Sequence, residues 1–240
     1  MKLNTLFLLA QDLFVWLESL IPPEVNHNIE KHRVLKKMFF YKHIESLPGD
    51  YLEFGVYQGT SLKGAAQYWR KIGKQPMRFW GFDSFEGMRG EKGDEHPFYL
   101  SFDFSTDFEQ VRKRFRNFPE VSLVKGFYKT SLKKGAKALG IKRAGMVFLD
   151  CDLYSSSQQA LKFLTPIVGD GTIFILDDYF NYAANKQRGV QAAFAEFTAV
   201  QKWEVIELDR YGIGGIVFII KKPLRKTKKL STVKLNVKKP

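Results

Sequence analysis

Two acid groups, each closing an apolar run, carry the clearest chemistry in this chain. One is Met146-Val-Phe-Leu-Asp150-Cys-Asp152 and the other is Thr172-Ile-Phe-Ile-Leu-Asp177-Asp178. Each run is too short and too uniformly apolar for an amphipathic helix, and reads as a short buried strand. In an open α/β sheet, ligands bind outside the carboxyl ends of the strands. Two adjacent strands ending this way bring three or four carboxylates together. Such a cluster repels itself unless a cation or a shared proton compensates. Carboxylate oxygens are the donors that a hard divalent cation takes, so the pattern predicts a metal site.

A second group lies upstream, in Glu53-Phe-Gly55-Val-Tyr57-Gln-Gly59-Thr-Ser61. Glycines in a strand-to-helix turn let a ligand approach the backbone, and the helix N-terminus beyond favours an anionic group. Alone, this spacing is explained equally by close strand-on-helix packing. It is also not the Gly-x-Gly-x-x-Gly pattern of dinucleotide sites, which counts against a nicotinamide cofactor. Asp83 follows in Gly81-Phe-Asp83-Ser84-Phe-Glu-Gly87. An acid after the second strand can accept both hydroxyls of a ribose, although an aspartate that merely opens a turn is common. The glycine turn and the acid together point to a nucleoside ligand.

The elements that position these groups alternate between strand and helix from residue 50 onward, the signature of a parallel sheet. Strands are expected at 51–54, 78–83, 121–125, 146–150 and 172–177, with helices at 61–72, 107–118, 155–164 and 190–200 between them. Thr106 and Glu109 have capping-box spacing, and Ser155-Ser-Ser157 reads as a helix cap. The last two strands, 203–208 and 215–220, are joined by a linker too short for a crossover helix and must be antiparallel. The fold class is therefore α/β, a mostly parallel seven-stranded sheet closing in an antiparallel hairpin, with helices on both faces. Two helices precede it, at 3–20 and 27–47. The first has apolar residues at helical spacing and is expected to pack on the domain or on a second copy. Residues 1–48 thus form an N-terminal lid or dimerisation segment, 49–222 the main domain and 223–240 a tail.

At 240 residues, with 45% hydrophobic content, the chain can bury one large core. The single cysteine, Cys151, excludes a disulfide framework and points to a reducing, cytoplasmic compartment. The apolar stretch Leu6 to Ala10 is followed by Asp12 and Glu18 and lacks a small-residue cleavage signal, so no signal peptide is expected. Net charge is +13, but residues 221–240 hold nine lysines and arginines and no acid, which leaves +4 for residues 1–220. The tail has no aromatic to stack on a base. It reads as a solvated, disordered extension, capable at most of weak contact with anionic surfaces and not of specific nucleic-acid recognition.

These segments together resemble a known family. Leu52 to Ser61 is similar to the S-adenosylmethionine turn of metal-dependent class I O-methyltransferases, and Met146 to Asp150 and Leu176 to Asp178 are similar to the metal-ligand strands of their catechol type. The fuller resemblance is to the macrocin O-methyltransferase family. It rests on Gly81 to Gly87, Gly126-Phe127-Tyr-Lys-Thr-Ser-Leu132, Asp150 to Ser156, Asp177-Asp178-Tyr179, and Gly189-Val190 leading to Phe197. It spans about residues 50–220.

The resemblance implies a Rossmann-like class I fold, S-adenosylmethionine as methyl donor and Mg²⁺ as cofactor. Glu53, Gly55, Tyr57, Gly59 and Ser61 would line the methionine end of the donor. Asp83 would hold the ribose with Ser84 nearby, and Gly126 and Phe127 would border the adenine. Asp150, Asp177 and Asp178 would bind the metal, Asp150 also bordering the donor. The catechol type carries a lysine three residues after its first metal aspartate, where this chain has Leu153, so the base is left between Asp150 and Asp152. None of the four histidines falls in these segments, and packing or surface roles are expected for them, with His96 on a loop able to reach the substrate. The acceptor would be a small hydroxylated molecule, such as a sugar of a natural product or glycan; the apolar N-terminal helix, independently of the resemblance, makes a homodimer the expected assembly. The competing reading is a Mg²⁺-dependent nucleotide-sugar glycosyltransferase, because Asp150-Cys-Asp152 is formally an Asp-x-Asp sequence.

Overall fold

The computed structural model describes residues 3–73, 75–96, 99 and 104–222. The helices are α1 (Leu3–Ser19), α2 (Pro23–Ile44), α3 (Thr60–Ile72), α4 (Phe108–Arg114), α5 (Tyr128–Ser131), α6 (Gly135–Ala138), α7 (Tyr154–Leu164) and α8 (Gly189–Gln201). The strands are β1 (Asp50–Phe54), β2 (Phe79–Asp83), β3 (Val121–Lys125), β4 (Ala144–Leu149), β5 (Ile173–Leu176), β6 (Glu204–Tyr211) and β7 (Gly215–Lys221).

The strands form one sheet in the order β3-β2-β1-β4-β5-β7-β6. The first five are parallel, while β7 runs antiparallel to both β5 and β6. This is the expected α/β class, closed by the expected hairpin. The order reverses between β1 and β4, and that switch point is where an open α/β sheet leaves a crevice at its carboxyl edge. Pairing of Glu53 with Phe148 and of Phe54 with Leu149 brings the end of β1 level with the start of the Asp150 turn.

β4 and β5 are buried at every position, which explains their unbroken apolar sequence: both faces are covered. One face packs Phe54, Phe82, Leu149, Phe174 and Leu176 against α7 and α8. The other packs Tyr51, Phe79, Phe148 and Ile175 against α2 and α3. Val34, Leu35, Met38 and Phe39 of α2 belong to that second cluster, so this helix shares the core of the sheet.

Several local expectations are corrected. Of the two expectations for helix α1, packing on the domain is not met: its side chains from Asn4 to Ser19 are exposed, including Phe7, Phe14 and Trp16, which leaves the second copy. Among the described residues no single helix is long and apolar enough to cross a membrane. The cap of α4 is Asp107, not Thr106; its carboxylate accepts from the backbone N–H of Glu109 (2.8 Å) and Gln110 (3.3 Å). Ser155 caps nothing. It lies in the first turn of α7, after an N-cap Leu153 with no side-chain bond, and its hydroxyl donates to the buried Asp94. The basic tail, residues 223–240, lies outside the described residues.

Candidate active site

The site is built at the carboxyl ends of β1, β2, β4 and β5, around a cavity of about 1240 Å³. On one side is the turn after β1. Gly55 holds φ +94°, a conformation that favours glycine, and a Cβ there would lie 1.7 Å from the Asp150 carbonyl oxygen. Gly59 holds φ +77°, and a Cβ there would meet the Phe115 ring at 2.8 Å. Both glycines are thus required for the turn to pass this close to its neighbours.

Asp83 ties that turn down from β2. Its Oδ2 accepts from the backbone N–H of Val56 (2.7 Å) and Tyr57 (2.8 Å), and its Oδ1 from that of Phe85 (2.7 Å). A carboxylate has about four lone-pair sites, so one acceptor position remains for a ligand hydroxyl. Glu53 lies behind the turn, fully buried, where Oε2 accepts from the Tyr51 hydroxyl (2.6 Å) and Oε1 from the Ser61 hydroxyl (2.7 Å). Burial raises its pKa to about 7, although the two hydroxyl bonds pull the other way.

Of the residues expected to meet the donor, Gly55, Tyr57, Ser61, Asp83, Ser84, Phe127 and Asp150 line the cavity. Glu53, Gly59 and Gly126 do not reach its wall; they shape the turns behind it. The Arg89 guanidinium covers the Phe127 ring at 4.2 Å.

Across the cavity stand the acids. Asp150, Asp177 and Asp178 each offer an oxygen within 4.8 Å of the others. Asp152 is beside them at φ +56° and lines the same wall. Helix α2 adds two residues that the sequence reading did not assign. The Lys31 ammonium sits 3.0 Å from Asp150 Oδ2 and 2.7 Å from Asp177 Oδ2. The His27 Nε2 lies 3.1 Å from Asp177 Oδ2, while its Nδ1 accepts from the Ile213 backbone N–H. That acceptor role fixes the tautomer, so Nε2 carries the proton donated to Asp177. Tyr211 donates to the other Asp177 oxygen at 2.6 Å.

His27 was expected to have a packing or surface role; the structure places it in the site. Glu24, His27, Asn28 and Lys31 all line the cavity, at helical spacing along one side of α2. That polar stripe beside the buried Val34, Leu35 and Met38 was the available signal. His96 also lines the cavity, packed against the Tyr99 and Tyr182 rings. Cys151 is buried, with Sγ 3.5 Å from the Ser157 hydroxyl, and burial pushes its thiol well up, as expected of an inert cysteine.

The electrostatics show a surplus of acid. Burial would raise Asp177, but Lys31 and His27 outweigh it and hold the carboxyl well below its ordinary range. Burial lowers Lys31, but Asp150 and Asp177 more than reverse this. Asp150 is pushed well up by burial and then by the Asp177 charge. Burial and the Asp150 charge raise Asp152 to about 7, and burial with the Asp152 charge raises Asp178 strongly. One ammonium therefore neutralises one carboxylate of four. Asp178 Oδ1 accepts from Asn181 (2.9 Å), and among the described residues no N–H or hydroxyl donor reaches its buried Oδ2. An all-oxygen donor set of crowded carboxyls, whose ionised forms one lysine cannot balance, fits a hard divalent cation.

The sequence model of the macrocin-O-methyltransferase (TylF) family matches residues 28–213. A curated relative from Streptomyces olivaceus, 8-demethyl-8-(2,3-dimethoxy-alpha-L-rhamnosyl)-tetracenomycin-C 4'-O-methyltransferase, is 31% identical over 146 residues, covering 56% of this chain and 54% of the relative. The chain thus spans about half the length of that relative. Mycinamicin III 3''-O-methyltransferase from Micromonospora griseorubida is 23% identical, covering 70% of this chain and 68% of the relative. Among solved structures, the O-methyltransferase NovP superposes with a TM-score of 0.67 at 22% identity, over 84% of this chain and 89% of that one.

Proposed function

Because the chain belongs to the macrocin-O-methyltransferase family, we propose that it moves a methyl group from S-adenosylmethionine to a hydroxyl of a sugar-bearing small molecule. The observation that carries this reading is the cavity at the sheet's switch point, with the Gly55 to Ser61 turn on one side and the aspartate cluster on the other. The donor's nucleoside would lie along β1 and β2, its ribose against Asp83 and its adenine near Phe127. Ser61, held by Glu53, would face the methionine end. The acceptor would then enter from the side of α2, Met88 to His96 and Asn181.

The chemistry is a displacement. The acceptor oxygen forms a bond to the sulfonium methyl carbon, the carbon–sulfur bond breaks, and sulfur leaves as a neutral thioether. No general acid is needed at sulfur. The hydroxyl proton needs an acceptor, and of the four carboxylates on this wall Asp150 and Asp152 are the candidates for that role. Asp150, Asp177 and Asp178 would hold Mg²⁺, which when bound lowers the pKa of a coordinated hydroxyl and fixes its position. Asp177 keeps its orientation through His27 and Tyr211. The exposed apolar side chains of α1 favour self-association as a dimer.

The nucleotide-sugar alternative finds no support. The matched family and relatives are O-methyltransferases by name, and Asp150 groups with Asp177 and Asp178, with Asp152 lining the same cavity, so the Asp-x-Asp pair is not isolated. The test is incubation with S-adenosylmethionine and a panel of deoxysugar-bearing natural products, with Mg²⁺ or with a chelator, read by mass spectrometry. A metal-dependent gain of one methyl on a sugar hydroxyl is expected. Glycosyl transfer from a nucleotide sugar, with the methyl donor unconsumed, would overturn the reading.

A further inference from the structure

Lys31, brought to the acid cluster by α2, makes the two closest cationic contacts there. Its Nζ lies 2.7 Å from Asp177 and 3.0 Å from Asp150, two of the three carboxylates that offer oxygens within 4.8 Å of one another. The third, Asp178, has one buried oxygen that no N–H or hydroxyl donor reaches among the described residues. We propose that the Lys31 ammonium is the cluster's resident cation in the metal-free protein, and that a divalent ion must displace it to bind. The inference rests on the proposed reading of the aspartates as metal ligands.

Mg²⁺ binds carboxylate oxygens at about 2.0–2.1 Å. To engage Asp150 and Asp177 it must draw on the carboxylates that Lys31 bridges. A dication and an ammonium held on the same two acids repel each other steeply in a buried site. The lysine has somewhere to go. Its charge ends a flexible four-carbon stem, and it lines a cavity of about 1240 Å³. Asp177 need not move with it, because His27 donates to one of its oxygens and Tyr211 to the other. Only Asp150 Oδ2 and one contact of Asp177 are exchanged. The device keeps the cluster paired without metal and weakens its affinity for the ion, so that metal occupancy follows the ambient concentration.

The experiment is Mn²⁺ titration of the full chain by calorimetry and electron paramagnetic resonance, in wild type, K31M and K31Q, with circular dichroism to establish folding. Removing a competing charge should tighten Mn²⁺ binding about tenfold or more in both variants. Should K31M fold only with metal, a larger Mn²⁺-induced rise in melting temperature than in wild type supports the same conclusion, with K31Q as the folded comparison. Equal or weaker Mn²⁺ affinity in the variants, with wild type still binding, would overturn the Lys31 assignment and leave the metal reading standing. Absence of Mn²⁺ binding in all three proteins would overturn both.

Discussion

Replacing Glu53 by glutamine removes a buried charge while preserving its shape. Glu53 is wholly enclosed, and burial raises its pKa from the ordinary 4.5 to about 7 against the pull of two hydroxyl donors. Between those values the folded protein binds more protons than the unfolded chain, so the Glu53 contribution to stability falls as pH rises through this window. At about 1.4 kcal/mol for each pH unit, the full penalty above pH 7 is roughly 3 kcal/mol. E53Q has no such penalty, and the Tyr51 and Ser61 hydroxyls can rotate to pair with an amide. The variant should match wild type near pH 4.5 and exceed it by roughly 3 kcal/mol at pH 8, a rise in melting temperature of roughly 6–12 °C for a chain of this size. Urea and thermal unfolding of both proteins from pH 4.5 to 8 isolate the difference, because every other titrating group is common to them. A difference that stays flat across this range, or that grows toward acid pH, would refute the reasoning.

Two further substitutions separate the donor turn from the scaffold. D83A strips the acceptors of the Val56, Tyr57 and Phe85 backbone N–H groups; it should cost roughly 1–3 kcal/mol in denaturant unfolding and weaken S-adenosylhomocysteine binding in calorimetry. D107A removes the side-chain cap of α4. It should cost about 1 kcal/mol and disturb that binding far less than D83A, because Arg114, which donates to the Gln58 carbonyl of the donor turn, lies at the other end of the helix; a loss as large as that of D83A would show that the cap itself holds the turn.

Much of the architecture was legible because it is repetitive. Uniformly apolar runs at β4 and β5, the short Asp209 to Gly214 linker and the strand–helix alternation fix a parallel sheet with a closing hairpin. The acids at the strand ends were equally legible, since position along a strand determines the edge of the sheet at which a residue emerges. What the sequence hid came from elsewhere in the chain. Lys31 and His27 approach Asp177 from 146 and 150 residues away, on a helix that precedes the sheet, and the polar stripe they form does not say which acid it meets. Glu53 was expected to border the donor, but its side chain lies in the interior, where it accepts from the Tyr51 and Ser61 hydroxyls. Ser155 had the composition of a cap and became a partner of buried Asp94, because the loop bearing Asp94 folds over α7. Helix α1 has a core-like composition, yet its side chains from Asn4 onward lie exposed, so composition alone could not place it.

The central claim is that the cavity between the Gly55 turn and the aspartate cluster binds a methyl donor. Calorimetric titration with S-adenosylhomocysteine, beside a panel of nucleotide sugars, each with and without Mg²⁺, tests it most directly. Saturable one-to-one binding of S-adenosylhomocysteine, weakened by D83A and unmatched by any nucleotide sugar, is the expected result. No heat from S-adenosylhomocysteine, together with Mg²⁺-dependent binding of a nucleotide sugar, would contradict the account.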